Sequence, residues 1–309
     1  MKPLVIIFDK VHPILPETLI SKGFDVIMDY SINYQKLVAL IPSATGLIVT
    51  SKIYIDKKII DAGIHLKWIA RLGSGMDIID VDYAKQKNIQ LINSPEGNAN
   101  AVAEHCVGLL LNLSKHISKS YNEVKNFNWL RAENRGFELQ NKKIGIIGFG
   151  NTGATFAKKL SGFEMQVYAF DKYKKNYGNN YVTETNIDFI VENCEIISLH
   201  IPLNSDTYHF ANALFFNTFI QKPIFISTCR GAVTNLHDLN IALEKGLIKA
   251  AALDVLENES LPTYTDEEKQ DLTRFLLKNN TIITPHIAGY TDESFYKISK
   301  IILKKLNLL

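Results

Sequence analysis

Gly145-Ile146-Ile147-Gly148-Phe149-Gly150-Asn151-Thr152-Gly153, answered further on by Asp171, is the stretch whose reading decides the fold. An apolar run over Lys143–Ile147 enters a G-x-G-x-x-G turn. A helical pattern covers residues 154–163, and a second apolar run, Gln166–Phe170, ends on the acid. Strand, glycine turn, helix, strand and carboxylate in that order predict a dinucleotide cradle. Gly148 permits the tight turn, Gly150 lets the backbone approach a pyrophosphate, and Gly153 lets helix and strand pack closely. The helix start at Asn151 and Thr152 offers unpaired N–H groups and a positive dipole end to the phosphates. Asp171 is suited to accept from an adenosine ribose and to repel a 2′-phosphate, which favours NAD over NADP.

The fingerprint starts near the middle of a 309-residue chain, so a large segment precedes it. That length suggests two domains of ordinary size. Hydrophobic residues at 46% and charged residues at 21% describe an ordinary globular composition. A formal net charge of +2 leaves no electrostatic footprint for nucleic acid or an anionic membrane. Cys106, Cys194 and Cys229 show no metal-ligand spacing; reduced thiols in a cytoplasmic protein without a metal are expected. The apolar N-terminal run stops at Asp9, too short for a signal core, and reads as a buried first strand. No run is long enough to span a bilayer.

Ahead of the fingerprint, residues 4–8, 25–28, 46–50, 68–72 and 90–92 are short apolar runs separated by helical stretches. Continuous rather than alternating apolar character predicts a parallel sheet covered on both faces. A long helix is predicted over residues 99–120, capped by Asn98 or Asn100, and residues 121–141 read as an extended excursion at a subunit contact. After the fingerprint, further strands are expected at residues 195–200, 224–227, 250–253 and 282–284. Leu272, Phe275 and Leu276 mark a helix, and Phe295, Ile298, Ile301 and Ile302 mark the apolar face of a terminal one that returns to the first domain.

Four further groups carry chemistry. Arg230 and Gly231 follow an apolar strand, where ligands bind in open parallel sheets, and a guanidinium fork suits a carboxylate or a polarised carbonyl. Asp254, Glu257 and Glu259 share a short loop after another strand. His286 sits in T-P-H-I-A-G-Y-T (residues 284–291), a strand end turning into a helix, where an imidazole is both positioned and accessible for proton transfer. Arg71-Leu72-Gly73-Ser74-Gly75-Met76-Asp77 forms a glycine turn whose backbone N–H groups suit a small anion such as a carboxylate.

Together these residues resemble the D-isomer-specific 2-hydroxyacid dehydrogenase family, close to its D-3-phosphoglycerate dehydrogenase branch, over essentially the whole chain. The resemblance rests on R-L-G-S-G-M-D (71–77), N-A-V-A-E-H (100–105), G-F-G-N-T-G with Asp171, and L-H-I-P-L (199–203). It rests also on C-R-G (229–231), A-L-D-V ending at Val255, and T-P-H-I-A-G-Y-T. It implies an α/β fold of two doubly wound parallel-sheet domains. A Rossmann NAD-binding domain (residues 99–286) is inserted into a discontinuous, flavodoxin-like substrate domain (1–98 with 287–309). Catalytic roles fall on Arg230, Glu259 and His286. NADH reduces C2 of a 2-oxo acid, Arg230 binds the carboxylate, His286 protonates the alkoxide, and Glu259 favours the imidazolium. The implied cofactor residues further include His200, Pro202, Thr228, Cys229, Asp254 near the nicotinamide carboxamide, and Gly289. The substrate meets Gly73, Ser74, Gly75 and Asn98. A homodimer is implied, with a cleft hinged at residues 95–100 and 288–291.

The chain departs from the family pattern in three places. Ser227 stands for the usual asparagine, Ser260 for the proline after the catalytic glutamate, and the segment from Glu259 to His286 is longer than usual. Glu257 is therefore the alternative partner of His286. No C-terminal regulatory domain, and no feedback through one, is expected. Lys52, after the third strand, is a candidate phosphate ligand, with Arg131 and Arg135 of the excursion as further cations. The expected substrate is 3-phosphoglycerate/3-phosphohydroxypyruvate, on the route to serine. The alternatives are glyoxylate, hydroxypyruvate or another small 2-oxo acid and, from another class, a non-catalytic NAD-sensing scaffold.

Overall fold

The structure is a computed structural model that describes residues 2–309. It divides into two units, residues 1–99 with 290–309, and residues 100–289. Each is built on its own parallel sheet.

The first unit carries strands β1 (Leu4–Ile7), β2 (Asp25–Met28), β3 (Gly46–Val49), β4 (Trp68–Arg71) and β5 (Gln90–Asn93), in the order β2-β1-β3-β4-β5. All pairs are parallel. Helices α1 (Ile14–Ser21), α2 (Tyr34–Leu40), α3 (Lys57–Ala62) and α4 (Val81–Gln86) connect them. Two apolar layers, one around Ile6, Leu47 and Ile69 and one around Val5, Ile7 and Ile48, are why β1 and β3 read as continuous apolar runs.

Helix α5 (Pro95–Lys115) starts earlier than its sequence suggests. Proline is favoured in a first helical turn, and Gly97 is required there: a Cβ would lie 2.8 Å from the Ile298 side chain and 2.9 Å from its backbone. Asn98 and Asn100 are therefore not caps. Asn98 accepts from Ser74 Oγ (3.0 Å), and Asn100 donates to Glu104 (2.9 Å) on the helix surface. Nor does α5 run to residue 120. His116 takes a left-handed φ of 55°, and a separate helix α6 (Ile117–Lys125) occupies the start of the expected excursion.

The second unit holds β6 (Lys143–Ile147), β7 (Gln166–Phe170), β8 (Thr183–Glu184), β9 (Ile196–Leu199), β10 (Ile224–Ser227), β11 (Ala250–Leu253) and β12 (Thr281–Ile283), ordered β12-β11-β10-β9-β6-β7-β8. This is the Rossmann order extended by one strand, and the first unit has the flavodoxin-like order. Helices α7 (Asn151–Leu160), α8 (Ile187–Asn193), α9 (Ala213–Asn217), α10 (Leu236–Glu244) and α11 (Asp266–Leu276) cover it. In α11 Phe275 is buried but Leu276 faces solvent. The last helix, α12 (Asp292–Lys305), belongs to the first unit and packs on α1 and β5. Its buried face is Ser294, Ser299, Ile302 and Leu303; Phe295 is exposed, contrary to the expected apolar stripe. Among the described residues no helix is long and apolar enough to cross a membrane.

Candidate active site

In the second unit the expected cofactor and catalytic residues follow the carboxyl ends of strands. The sheet order brings β6, β9, β10, β11 and β12 together, so parallel direction alone collects their ends on one edge. After β6, Gly148 has φ 96°, and a Cβ there would stand 2.4 Å from His200 O at the end of β9. Gly153 meets Gly148 O at 2.1 Å in the same way, whereas a Cβ on Gly150 would find nothing within 4 Å. Helix α7 has Gly150 at its N-cap and no side chain capping its first N–H groups. An open glycine before an uncapped helix start fits a pyrophosphate.

Asp171 closes this cradle. Its Oδ2 accepts from Phe149 N (2.8 Å), and its Oδ1 from Tyr173 N and Lys174 N (2.9 Å each). Burial raises its carboxyl, but these three N–H bonds and the charge of Lys174 outweigh that and hold it below the usual range. At the end of β9, His200 Nε2 meets Ser198 Oγ at 2.9 Å. Pro202 O accepts from Thr207 Oγ1 at 2.6 Å. At the end of β10, Thr228 Oγ1 lies 3.3 Å from Cys106 Sγ and Cys229 Sγ 3.3 Å from Ser227 Oγ. Burial pushes the Cys106 thiol up to about 12 and raises Cys229 as well, so both stay protonated.

Arg230 is half-buried, its Nη1 donating to Cys229 O at 2.8 Å. Its loop is pressed against the one that carries Glu259: a Cβ on Gly231 would stand 1.8 Å from Leu256 O. His286 Nδ1 meets Glu259 Oε1 and Oε2 at 2.8 and 2.9 Å, leaving Nε2 as the nitrogen available for proton transfer. Both side chains are nearly half exposed, at 45% and 46%. Burial raises the Glu259 carboxyl. The bond from His286, its charge, Leu256 N–H and Arg230 together bring it below the usual range.

His286 has φ 54°, a left-handed backbone that costs a non-glycine residue about 1–2 kcal/mol. Asp254, only 1% exposed, holds it there. Its carboxylate accepts from Ile287 N (3.0 Å), Ala288 N (2.8 Å) and Thr284 Oγ1 (2.5 Å), and its main-chain oxygen accepts from His286 N (2.8 Å). His105 of the N-A-V-A-E-H motif reaches Thr284 Oγ1 at 2.9 Å. Sequence reasoning missed this network because its members join α5, β11 and β12 only through the sheet order. Gly289 closes the second unit.

In the first unit, the glycine turn after β4 is internally braced. Gly73 N donates to Ser94 Oγ (3.1 Å), Ser74 Oγ donates to Asn98, and Asn93 Nδ2 donates to Ser74 O (2.8 Å). The Gly73 N–H is thus spent, contrary to the expected nest, which is reduced to the turn around Ser74 and Gly75. Lys52 Nζ donates to Tyr30 O (2.5 Å) and Phe8 O (3.4 Å), and Thr50 Oγ1 donates to the Asp9 carboxylate. Arg131 and Arg135, which belong to the second unit, are exposed.

The family model of the D-isomer specific 2-hydroxyacid dehydrogenase NAD binding domain matches residues 107–288. The chain belongs to this family. As a member it is an NAD-dependent D-2-hydroxyacid dehydrogenase. It is 34% identical over 271 residues to the hydroxypyruvate reductase of Thermotoga maritima, covering 88% of this chain and 86% of that one. It is 30% identical over 289 residues to the D-3-phosphoglycerate dehydrogenase of Archaeoglobus fulgidus, covering 93% of this chain but 53% of that longer one. Among solved structures, the D-lactate dehydrogenase of Aquifex aeolicus with NAD and lactic acid matches with a TM-score of 0.85 at 25% identity. That match covers 98% of this chain and 94% of the other.

Proposed function

We propose that Arg230, Glu259 and His286 are the catalytic set of this dehydrogenase, and that its substrate is a small unphosphorylated 2-oxo acid of the hydroxypyruvate or glyoxylate kind. The glycine cradle with Asp171, and the strand ends carrying His200, Pro202, Thr228, Cys229 and Gly289, hold the dinucleotide. Bound NADH supplies the hydride to C2 of the oxo acid. Arg230 takes the substrate carboxylate with its guanidinium fork and polarises the ketone. His286 delivers a proton from Nε2 to the oxygen that becomes alkoxide, while Glu259 on Nδ1 fixes the ring and supports its charge. Asp254 keeps the loop of His286 in place for both directions of the reaction. Within the first unit, the turn at Ser74 and Gly75, with Gly73 and Asn98 behind it, is the candidate for holding a small carboxylate.

The position of Lys52 carries the choice of substrate. A bound phosphate calls for more than one cation. Lys52 already serves two backbone carbonyls, and the neighbouring hydroxyl of Thr50 is tied to a carboxylate. The second reading, 3-phosphohydroxypyruvate, needs Lys52 to leave those carbonyls. Initial rates of NADH oxidation separate the two: hydroxypyruvate or glyoxylate is expected to exceed phosphohydroxypyruvate at least tenfold in kcat/KM, about 1.4 kcal/mol. The reverse order overturns the assignment. His286→Ala is expected to lower kcat by about 10²–10⁴ while NADH still binds, as for loss of a positioned acid. NADH binding without turnover of any 2-oxo acid by the native chain favours a sensing scaffold. We propose further that the chain forms a homodimer through α6 and the loop after it.

A further inference from the structure

Glu257, two residues before Glu259, pairs with a different histidine. Its Oε2 meets His209 Nε2 at 2.5 Å, and its Oε1 accepts from Leu236 N, the first residue of α10, at 3.1 Å. Asn235 Nδ2 donates to His209 Nδ1 (3.4 Å), which leaves the ring proton on Nε2 for Glu257. His209 is itself fixed. Its φ is 48°, its N–H donates to Ala232 O (2.8 Å), and its ring stacks on Tyr208 with centroids 4.1 Å apart.

We propose that the Glu257–His209 pair is a strut that positions Glu259. Residues 254–260 leave β11 without helix or strand, so their backbone takes its course from side-chain anchors. This pair anchors the chain two residues before Glu259. The next residue, Asn258, is held as well: Tyr264 donates its hydroxyl to Asn258 O (2.6 Å), and Asn258 Nδ2 donates to Glu268 (3.2 Å). Glu259 is too exposed to be placed by its own packing, and its two short contacts to His286 Nδ1 depend on where the backbone delivers it. Arg230 does not depend on the strut to the same degree. Its loop closes on itself through Val233 N to Arg230 O (3.0 Å) and Thr234 N to Gly231 O (2.9 Å). The pair therefore acts on proton transfer and leaves carboxylate binding alone. This inference rests on the assignment of Glu259 and His286 proposed above.

Glu257→Gln tests it with little change in volume. The amide oxygen can still accept from Leu236, but its NH₂ then faces a ring nitrogen that is also a donor. The expected result is a kcat about tenfold lower, part of what a positioned acid contributes, with KM for the oxo acid and Kd for NADH within about twofold. His209→Gln should give the same split. In a Glu259→Gln background, Glu257→Gln should cost less than about twofold, because no carboxylate remains to be positioned. Equal cost in both backgrounds, unchanged kcat in the strut variants, or loss of folding in both of them overturns the strut. Unchanged kcat in Glu259→Gln alone overturns the proton couple instead.

Discussion

At the carboxyl end of β9, burial drives the His200 imidazole down from 6.5 to about 4. The folded chain therefore keeps this ring neutral over a range in which the unfolded chain binds a proton. At pH 7 both states are mostly neutral and the linkage contributes little. As pH falls below 6.5 the unfolded state gains, and stability is lost until the folded ring itself protonates near pH 4. At pH 5 the loss amounts to about 2 kcal/mol. The lowered carboxyls of Glu259 and Asp171 act in the same direction only at lower pH, since their stabilisation is present above the unfolded carboxyl value and lost as pH falls through the folded one. His200→Gln should therefore flatten the dependence of the denaturant midpoint between pH 7 and pH 5. A variant that keeps the native slope overturns this account.

At the scale of elements, two glycines predict opposite signs for the same change. Gly231 has no room for a Cβ, and the obstruction, Leu256 O at 1.8 Å, Leu256 C at 1.9 Å and Glu257 N at 2.5 Å, is backbone that cannot rotate away. Gly231→Ala should part the loops of Arg230 and Glu259 at a cost of about 1–3 kcal/mol, with kcat falling alongside. Gly108 lies on the exposed side of α5 with nothing within 4 Å, so Gly108→Ala should raise the melting temperature, as about 0.5–1 kcal/mol of helix propensity is recovered. A thermal shift series on the two variants checks both signs at once. The same contrast explains what the sequence could reveal. Strands β6, β7, β10 and β11 were legible as short apolar runs ending in glycine or a polar residue, and Arg230 and His286 were legible because they stand just after strands. The start of α5 was not, since Gly97 reads as a breaker until the distant Ile298 is seen against it. Nor was the choice between Glu257 and Glu259 for His286. Two acids two residues apart in a loop differ only in which neighbouring loop each one faces, and that depends on the order of the strands beneath them.

For the whole molecule, the surface that remains to be accounted for is α6 and the loop beyond it. Helix α6 buries none of its residues, yet Ile117, Tyr121 and Val124 are apolar and exposed along it. Phe127 follows at 99% exposed and Trp129 at 82%, with Leu130 beside them. Single exposed apolar residues are ordinary, but six in so short a segment mark an interaction surface. A patch of aromatic and branched side chains suits the proposed two-fold pair, in which each copy would cover the other's Phe127 and Trp129. Such an interface needs about 800 Å² from each copy. At micromolar concentration the native chain should sediment at about twice its 34.9 kDa mass. Phe127→Glu with Trp129→Glu should sediment as a single chain with unchanged circular dichroism, because neither ring contributes to a buried core. A native chain that sediments singly at tens of micromolar overturns the homodimer. A double variant that still pairs moves the interface elsewhere on the surface.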